Sequence, residues 1–217
     1  MLEVIESIAA ISGIERIRLG SLEPRIISEE FIKKLSGIDK VCPHFHLSLQ
    51  SGCDETLKRM NRRYTIEEFE IIVDRLRNAY EDVILTTDII VGFPNESDEE
   101  FESTYNFLKD IKFYKMHIFK YSPRKGTKAA IMENQISGDI KEKRSKKLLE
   151  LSDLNEISYL EKYINKEVNV LFEEYDGEYY KGHTENYIMV KMKSKEDLCN
   201  KIKKVVITER KGLFLIA

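Results

Sequence analysis

Two histidines, His44 and His46, stand one residue apart in a segment with the composition of a β-strand. Side chains two positions apart on a strand point to the same side, so the pair could bind one ligand together. Zinc hydrolases use this spacing, and a third zinc ligand would have to be His117 or His183. Because no carboxylate cluster accompanies the pair, we favour packing or a substrate contact over a metal site.

Four segments that end β-like stretches combine polar side chains with Gly or Pro. They are Gly20–Pro24, Leu49–Gly52, Thr87–Pro94 and Tyr121–Thr127. Each one alone is typical of an ordinary strand–turn–helix joint. In α/β folds, however, ligands bind at the carboxyl ends of the parallel strands, and Gly92 lets a ligand approach the backbone closely. Together the four segments predict one shared site that can hydrogen-bond a polar ligand.

The elements that would position these residues alternate through the first two-thirds of the chain. This alternation predicts a parallel sheet or a (β/α) barrel. Ser28 caps one predicted helix, a capping box over Thr65–Glu68 starts the next, and Ser97 opens a third. The predicted strands are Ile14–Leu19, Phe45–Leu49, Val83–Val91 and Met116–Phe119.

Four strands cannot close a barrel, because two strand edges would stay exposed. Residues 1–12 have the pattern of the end of a helix that should follow another strand. We therefore expect the chain to start in the middle of a domain and to lack the amino-terminal part of the same protein.

The last third of the chain has a different pattern. A long helix is predicted over residues 139–163, and short β-like segments then predict a small antiparallel barrel. Residues 163–217 carry 10 Lys/Arg and 9 Asp/Glu, so this tail is slightly basic on an acidic body. That balance is a weak indication of RNA binding.

Bulk composition excludes several classes of protein. The net charge of −3 gives no general attraction to nucleic acid, so any RNA affinity must come from local patches. No apolar run approaches the roughly 20 residues that a membrane span needs. The three cysteines are too few and too scattered for a disulfide framework, which fits a reducing cytoplasm.

A family resemblance rests on four segments that occur in order across nearly the whole chain: Leu49–Gly52, Lys58–Thr65, Thr87–Pro94 and Tyr121–Thr127. They resemble the radical S-adenosylmethionine (SAM) methylthiotransferases, which include MiaB-like and MtaB-like tRNA enzymes. The resemblance implies an α/β fold in three parts. These are the last four strands of a partial radical SAM barrel over 1–138, a connecting helix over 139–162, and an OB-like TRAM RNA-binding domain over 163–217.

The same resemblance implies where SAM binds. Gln50 and Ser51 would lie near its ribose and methionyl group. Arg62 would bind its carboxylate through the guanidinium, with a surface salt bridge as the alternative role. The adenosine side would be lined by Asp88, Ile90 and Gly92.

Substrate contacts are implied at both ends of the chain. Glu23, beside Ser21 and Pro24, resembles the pattern of enzymes that act on threonylcarbamoyladenosine, and Arg124 would face the substrate or the tail. In the tail, the implied RNA contacts include a tyrosine stacked on a base, and the alternative is an ordinary turn with one packed tyrosine. These tail residues are Thr184, Asn186 and Tyr187.

The chain departs from the family at the metal centre. Radical SAM chemistry needs three cysteines spaced C-x-x-x-C-x-x-C to hold a [4Fe–4S] cluster, and Cys42, Cys53 and Cys199 do not have that spacing. We therefore expect no catalytic or metal-binding residue in this chain and no activity from it alone. The resemblance implies that the ligands of this cluster, and those of a second cluster that supplies sulfur, belong to the rest of the parent protein.

The function implied for the parent is addition of a methylthio group to C2 of N6-threonylcarbamoyladenosine, next to the tRNA anticodon, in the cytoplasm. Two alternatives stay open: a methylthiotransferase of the same family that modifies a ribosomal protein, and a non-catalytic RNA-binding module. A zinc hydrolase built on His44 and His46 is a weaker third.

Overall fold

A computed structural model describes all residues, 1–217. Its first part is a parallel sheet of four strands in the order β1-β2-β3-β4, namely Ser21–Leu22, His44–Gln50, Ile84–Val91 and Lys115–Lys120. All three strand pairs are parallel, and no strand is skipped. This is the predicted fold class of an α/β protein with a partial parallel barrel, and it is confirmed.

Helices connect these strands. They are α1 (Leu2–Ala9), α2 (Glu29–Ser36), α3 (Asp54–Arg59), α4 (Ile66–Ala79), α5 (Asp98–Ile111) and α6 (Gly138–Glu161), with 3₁₀ turns at Pro24–Ile26 and Lys128–Ile131. The predicted caps are confirmed: Ser28 accepts from Phe31 N, and both Thr65 and Ser97 form reciprocal capping boxes. None of the six helices is both long and apolar enough to cross a membrane.

The sheet has one face against the helices and one face turned away from them. In β2, Phe45, Leu47 and Leu49 are fully buried in the main core, whereas His46 is only partly buried on the opposite face. Strand alternation carries the same division into β3 and β4, since Thr86 pairs with Lys115 and Asp88 with His117. The second face therefore carries polar and titratable side chains in register.

One predicted strand, Ile14–Leu19, is wrong. Only Ile17 pairs there, in an isolated parallel bridge with Val41, and β1 is the two-residue strand at Ser21. Next to this bridge, the Arg16 guanidinium donates to the carbonyls of His183 and Asn169, so this segment contacts the tail as well as the sheet.

Residues beyond α6 form a second, six-stranded sheet in the order β8-β5-β6-β7-β10-β9. The strands are β5 (Glu167–Tyr175), β6 (Tyr180–Thr184), β7 (Met189–Met192), β8 (Lys201–Val206), β9 (Glu209–Lys211) and β10 (Phe214–Ile216). The prediction of a purely antiparallel tail is wrong in one pair, since β7 and β10 run parallel, and β9 and β10 were not predicted.

The two sheets are packed against each other. The second core contains Val170, Phe172 and Leu215 of the tail, and it also takes in Ile84 and Tyr114 of the first part. Asn186 Nδ2 donates to the Asp82 carbonyl at 2.9 Å and to the Tyr163 hydroxyl at 2.6 Å. The tail thereby sits near the amino-terminal ends of β2 and β3.

Candidate functional site

Two clefts lie along the second face of the parallel sheet. The first, which we call the strand-end cleft, has a volume of about 480 Å³ and lies where β2, β3 and β4 end. The second, the histidine cleft, has a volume of about 660 Å³ and lies between the sheet and the tail. Asp88 and Phe119 line both clefts, so the two adjoin.

The strand-end cleft brings together several of the predicted site residues. Gln50 ends β2 with a φ of 74°, a left-handed conformation that turns the chain at the rim. Arg124 is exposed in the loop after β4. With hydroxyls from Ser122 and Thr127, the cleft offers amide, carboxylate, hydroxyl and guanidinium groups; the predicted residues that line it are Gln50, Asp88, Ile90 and Arg124.

Two residues predicted to bind the cofactor have internal roles instead. Ser51 is 1% exposed; its hydroxyl accepts from Cys53 N and lies 3.3 Å from the Thr104 hydroxyl, so it holds the turn after β2. Gly92 has a φ of 70°, and a Cβ there would lie 2.3 Å from Lys141 Cγ. The glycine is required by its backbone conformation and by the Lys141 side chain, so its contact is with the protein itself.

The loop after β3 is anchored by a buried ion pair that sequence reasoning missed. Glu96 accepts from Gly92 N at 2.7 Å and from Arg144 Nη1 at 2.5 Å, and both side chains are almost fully buried. Burial raises the pKa of Glu96, and the Gly92 N–H and Arg144 act in the opposite direction. The only signal in the sequence was an acidic residue after Gly-Phe-Pro, which is common at helix starts.

Two other predicted contacts lie outside both clefts. Arg62 is partly buried beside Tyr64, whose hydroxyl donates to the carbonyls of Ser48 and Leu49. Glu23 is exposed at the end of β1. Neither lines the strand-end cleft or the histidine cleft.

The histidine cleft contains all four histidines of the protein. Strand alternation places His44 and His46 on the same side of β2, as expected, and register places His117 beside Asp88. The fourth, His183, comes from the tail on β6. No three His, Cys, Asp or Glu side chains in the structure are arranged so that they could hold a metal ion.

A hydrogen bond to Thr86 and the close Asp88 carboxylate hold His46 in a fixed orientation. Its Nε2 lies 3.2 Å from Asp88 Oδ2, and its Nδ1 lies 2.9 Å from the Thr86 hydroxyl. The His46 and His117 rings are 5.6 Å apart. Burial lowers the pKa of His117, and the nearby His46 lowers it further.

His44 is the most buried of the four. It is 5% exposed and its Nδ1 has no hydrogen-bond partner. Burial, followed by the charge of Arg18 and the neighbouring His46, lowers the pKa of His44 to about 4. At neutral pH this imidazole is therefore uncharged.

Tyr187 covers His44 from the tail side. Its ring is 5.1 Å from the His44 ring, stacks on His183 at 4.2 Å, and has the Arg18 guanidinium 4.0 Å above its centre. With these partners the ring is already packed, so stacking on a base would require one of them to move. Ser21 lies in the same cleft on β1.

The other two predicted RNA contacts are buried in the joint between the tail and the parallel sheet. Thr184 and Asn186 are 5% and 6% exposed, and the Thr184 hydroxyl donates to Asn186 Oδ1 at 2.6 Å. Their remaining polar groups are used by Ile188 N, the Asp82 carbonyl and the Tyr163 hydroxyl. The structure therefore gives them a role in docking the tail and not at an RNA surface.

Comparison with known proteins agrees with this architecture. Residues 1–108 match the Radical SAM superfamily. The chain is 41% identical over 202 residues to the Threonylcarbamoyladenosine tRNA methylthiotransferase MtaB of Bacillus subtilis, covering 91% of this chain and 45% of that protein. It is 40% identical over 212 residues to the tRNA-2-methylthio-N(6)-dimethylallyladenosine synthase of Alkaliphilus oremlandii, covering 95% and 45%. The chain thus spans about half the length of the curated relatives it matches.

Among solved structures, the chain is similar to coproporphyrinogen III oxidase (HemN) from Escherichia coli, described as a radical SAM enzyme. The TM-score is 0.55 at 17% identity, covering 64% of this chain and 32% of that one. At this identity the likeness concerns the fold alone.

Proposed function

The chain belongs to the radical SAM superfamily through residues 1–108, and on this premise we propose that it is part of a tRNA methylthiotransferase. The reaction is addition of a methylthio group to C2 of a modified adenosine next to the anticodon. The observation that carries the proposal is the alignment of more than nine-tenths of the chain with relatives named for this activity. Because the substrate is tRNA, we place the activity in the cytoplasm.

The strand-end cleft suits SAM as a ligand. SAM presents an amino-acid carboxylate and ammonium, ribose hydroxyls and a purine, and the cleft offers a partner for each charged or polar group. We assign the polar contacts to Gln50, Asp88 and Arg124, with Ile90 on the apolar side. When bound in a radical SAM enzyme, this cofactor supplies a 5′-deoxyadenosyl radical; the residues named here would bind and orient it.

The other cofactor of the family is a [4Fe–4S] cluster. The three thiols of this chain are not placed so that they could hold one together. Cys42 and Cys53 are buried at opposite ends of β2, and Cys199 lies in the tail before β8. No group of side chains here could hold a metal. A cluster would need ligands other than these three cysteines.

The second sheet is proposed to bind the RNA, as a TRAM domain. Its edge strand β8 is exposed and carries Lys201, Lys203 and Lys204. Lys204 pairs with Glu167, whereas Lys203 has no ion pair. Lys203 is therefore the lysine of this strand best placed to meet a phosphate.

The experiment is binding of tRNA to the 217-residue chain over a range of salt concentrations. Lys203→Glu should weaken binding several-fold and reduce the slope of log K against log salt by roughly 1, because one phosphate contact is lost. The matched control is Lys109→Glu, at an exposed and unpaired lysine near the end of α5, which should bind as the wild type does. Wild-type affinity too weak to measure at low salt, or equal effects of the two variants, would contradict the proposal.

A further inference from the structure

One of the charged side chains that line the histidine cleft has neither an ion-pair nor a hydrogen-bond partner. Four charged residues line it, and three of them are paired: Asp88 with His46, and Lys115 with Glu156 at 3.3 Å. Glu156 also accepts from the Tyr114 hydroxyl. The remaining one is Arg18, whose guanidinium lies over Tyr187 and makes no hydrogen bond or ion pair.

The surroundings of Arg18 suit an anion. Its neighbour His44 is 95% buried by area and has an unpartnered Nδ1, a polar atom that most buried groups in proteins do not leave unsatisfied. His117 is exposed in the same cleft without a hydrogen-bond partner, and Ser21 adds an exposed hydroxyl. Since both carboxylates of the cleft already lie against a partner, Asp88 against His46 and Glu156 against Lys115 and Tyr114, the donors that remain free favour a negatively charged ligand group.

We propose that the histidine cleft binds an anionic group of the substrate nucleoside, a carboxylate or a phosphate, with Arg18 as its cationic partner. This inference rests on the proposed function. The cleft has a volume of about 660 Å³, within the range of pockets that hold ligands of this size. It adjoins the strand-end cleft through Asp88, so a nucleoside held there would lie next to the proposed cofactor site.

An anion-binding cleft would distinguish two substrate classes that sequence identity to the relatives does not distinguish. The relatives are named for threonylcarbamoyladenosine and for dimethylallyladenosine, at 41% and 40% identity. The threonylcarbamoyl substituent ends in a carboxylate, whereas the dimethylallyl substituent is a hydrocarbon. A cleft with an unpaired arginine and two imidazoles without hydrogen-bond partners, those of His44 and His117, favours the first, because an apolar substituent would leave these polar groups desolvated and unpaired.

The histidines provide a direct test. Because all four line the cleft, the histidine ring signals in an NMR spectrum of the full chain report on this cleft alone. We expect N6-threonylcarbamoyladenosine to shift these signals, and adenosine and N6-dimethylallyladenosine to leave them unchanged at equal concentration. Adenosine 5′-monophosphate tests whether the cleft binds a phosphate instead of a carboxylate. If this nucleotide alone shifts the signals, the anionic group is a phosphate.

Variants at Arg18 complete the test. Arg18→Gln should weaken binding of the anionic nucleoside at least tenfold, Arg18→Lys should keep most of it, and Arg25→Gln should match the wild type. Arg25 is an exposed arginine outside the cleft, so it controls for the change in net charge. Equal shifts with adenosine, no shift with any probe, or full binding by Arg18→Gln would overturn the inference.

The outcome is separable from that of the proposed function. Suppose that the wild type binds tRNA with the expected salt dependence, but no nucleoside shifts the histidine signals. In that case only the assignment of the histidine cleft as an anion site fails. If the cleft binds an anionic nucleoside and the chain shows no affinity for tRNA, the proposed function fails and the cleft remains a nucleotide site.

Discussion

At the scale of the residue, His44 shows how position changes the chemistry of a side chain. It shares β2 and its face with His46, yet only His44 is covered by the Tyr187 ring and surrounded by Arg18, His46 and His183. Burial and these positive or titratable neighbours hold its pKa at about 4, so the folded protein resists protonating it.

This depressed pKa predicts a pH dependence of stability. Below about pH 6.5 the unfolded chain binds a proton that folded His44 does not, so stability falls as the pH drops from about 6.5 towards 4. The loss from this one group should reach about 2 kcal/mol by pH 5. We expect the variant His44→Phe to lack this contribution to the pH dependence of stability. The measurement is urea unfolding of the wild type and the variant at pH 7 and pH 5. An identical pH 7 to pH 5 difference in the two proteins would show that His44 does not titrate in this way.

At the scale of the element, α6 does more than connect the two sheets. It buries charged and polar side chains where an amphipathic helix would place apolar ones, including Arg144, Ser152 and Glu156, while Leu154 is 65% exposed. Arg144 holds the loop after β3 through Glu96, and Ser152 accepts from Met116 N on β4. The helix therefore fixes the loop after β3 and the start of β4.

Removing the arginine tests this role. Arg144→Met leaves Glu96 buried without its cation, and it should cost about 3–5 kcal/mol in the free energy of unfolding at pH 7. The control is Lys147→Met, whose partner Glu102 is half exposed; it should cost less than about 1 kcal/mol. Adding Glu96→Gln to Arg144→Met should recover part of the loss, because the stranded charge is gone. Similar costs for the two single variants would refute the buried-pair account.

At the scale of the whole molecule, the tail forms one wall of the histidine cleft. Arg16 reaches two tail carbonyls, and Asn186 reaches back to Asp82. Through these contacts the β6–β7 turn brings His183 and Tyr187 over the second face of the parallel sheet. The cleft therefore exists only when the tail is docked.

Loosening the joint should open the cleft. Asn186→Ala removes the hydrogen bonds to Asp82 and Tyr163 and should destabilise the docked state by about 1–3 kcal/mol. We expect faster amide hydrogen exchange in β6 and β7 and little change in α2, which makes no side-chain hydrogen bond or ion pair with the tail. Asn106→Ala, at an exposed position on α5, serves as the control. Unchanged exchange in β6 and β7 would mean that other contacts hold the tail.

Much of the parallel part could be predicted from the sequence because its signals are local. The Thr65 and Ser97 capping boxes lie within four residues, and the alternation of His44, Phe45 and His46 assigns each side chain to a face of the sheet. The same patterns placed Gln50, Asp88, Ile90 and Arg124 at strand ends, where the structure brings them together. Short-range sterics and hydrogen bonding decide all of these features.

Tertiary structure alone decided the rest. Arg16 and His183 are 167 positions apart, so nothing near Ile14–Leu19 revealed that its arginine would contact the tail. The burial of Thr184 and Asn186, the parallel β7–β10 pair and the packing of Arg18 on Tyr187 likewise depend on contacts between distant segments. Sequence patterns of period 2 or 3.6 record which face of an element is apolar; which other element covers that face depends on how the assembled chain fills its core.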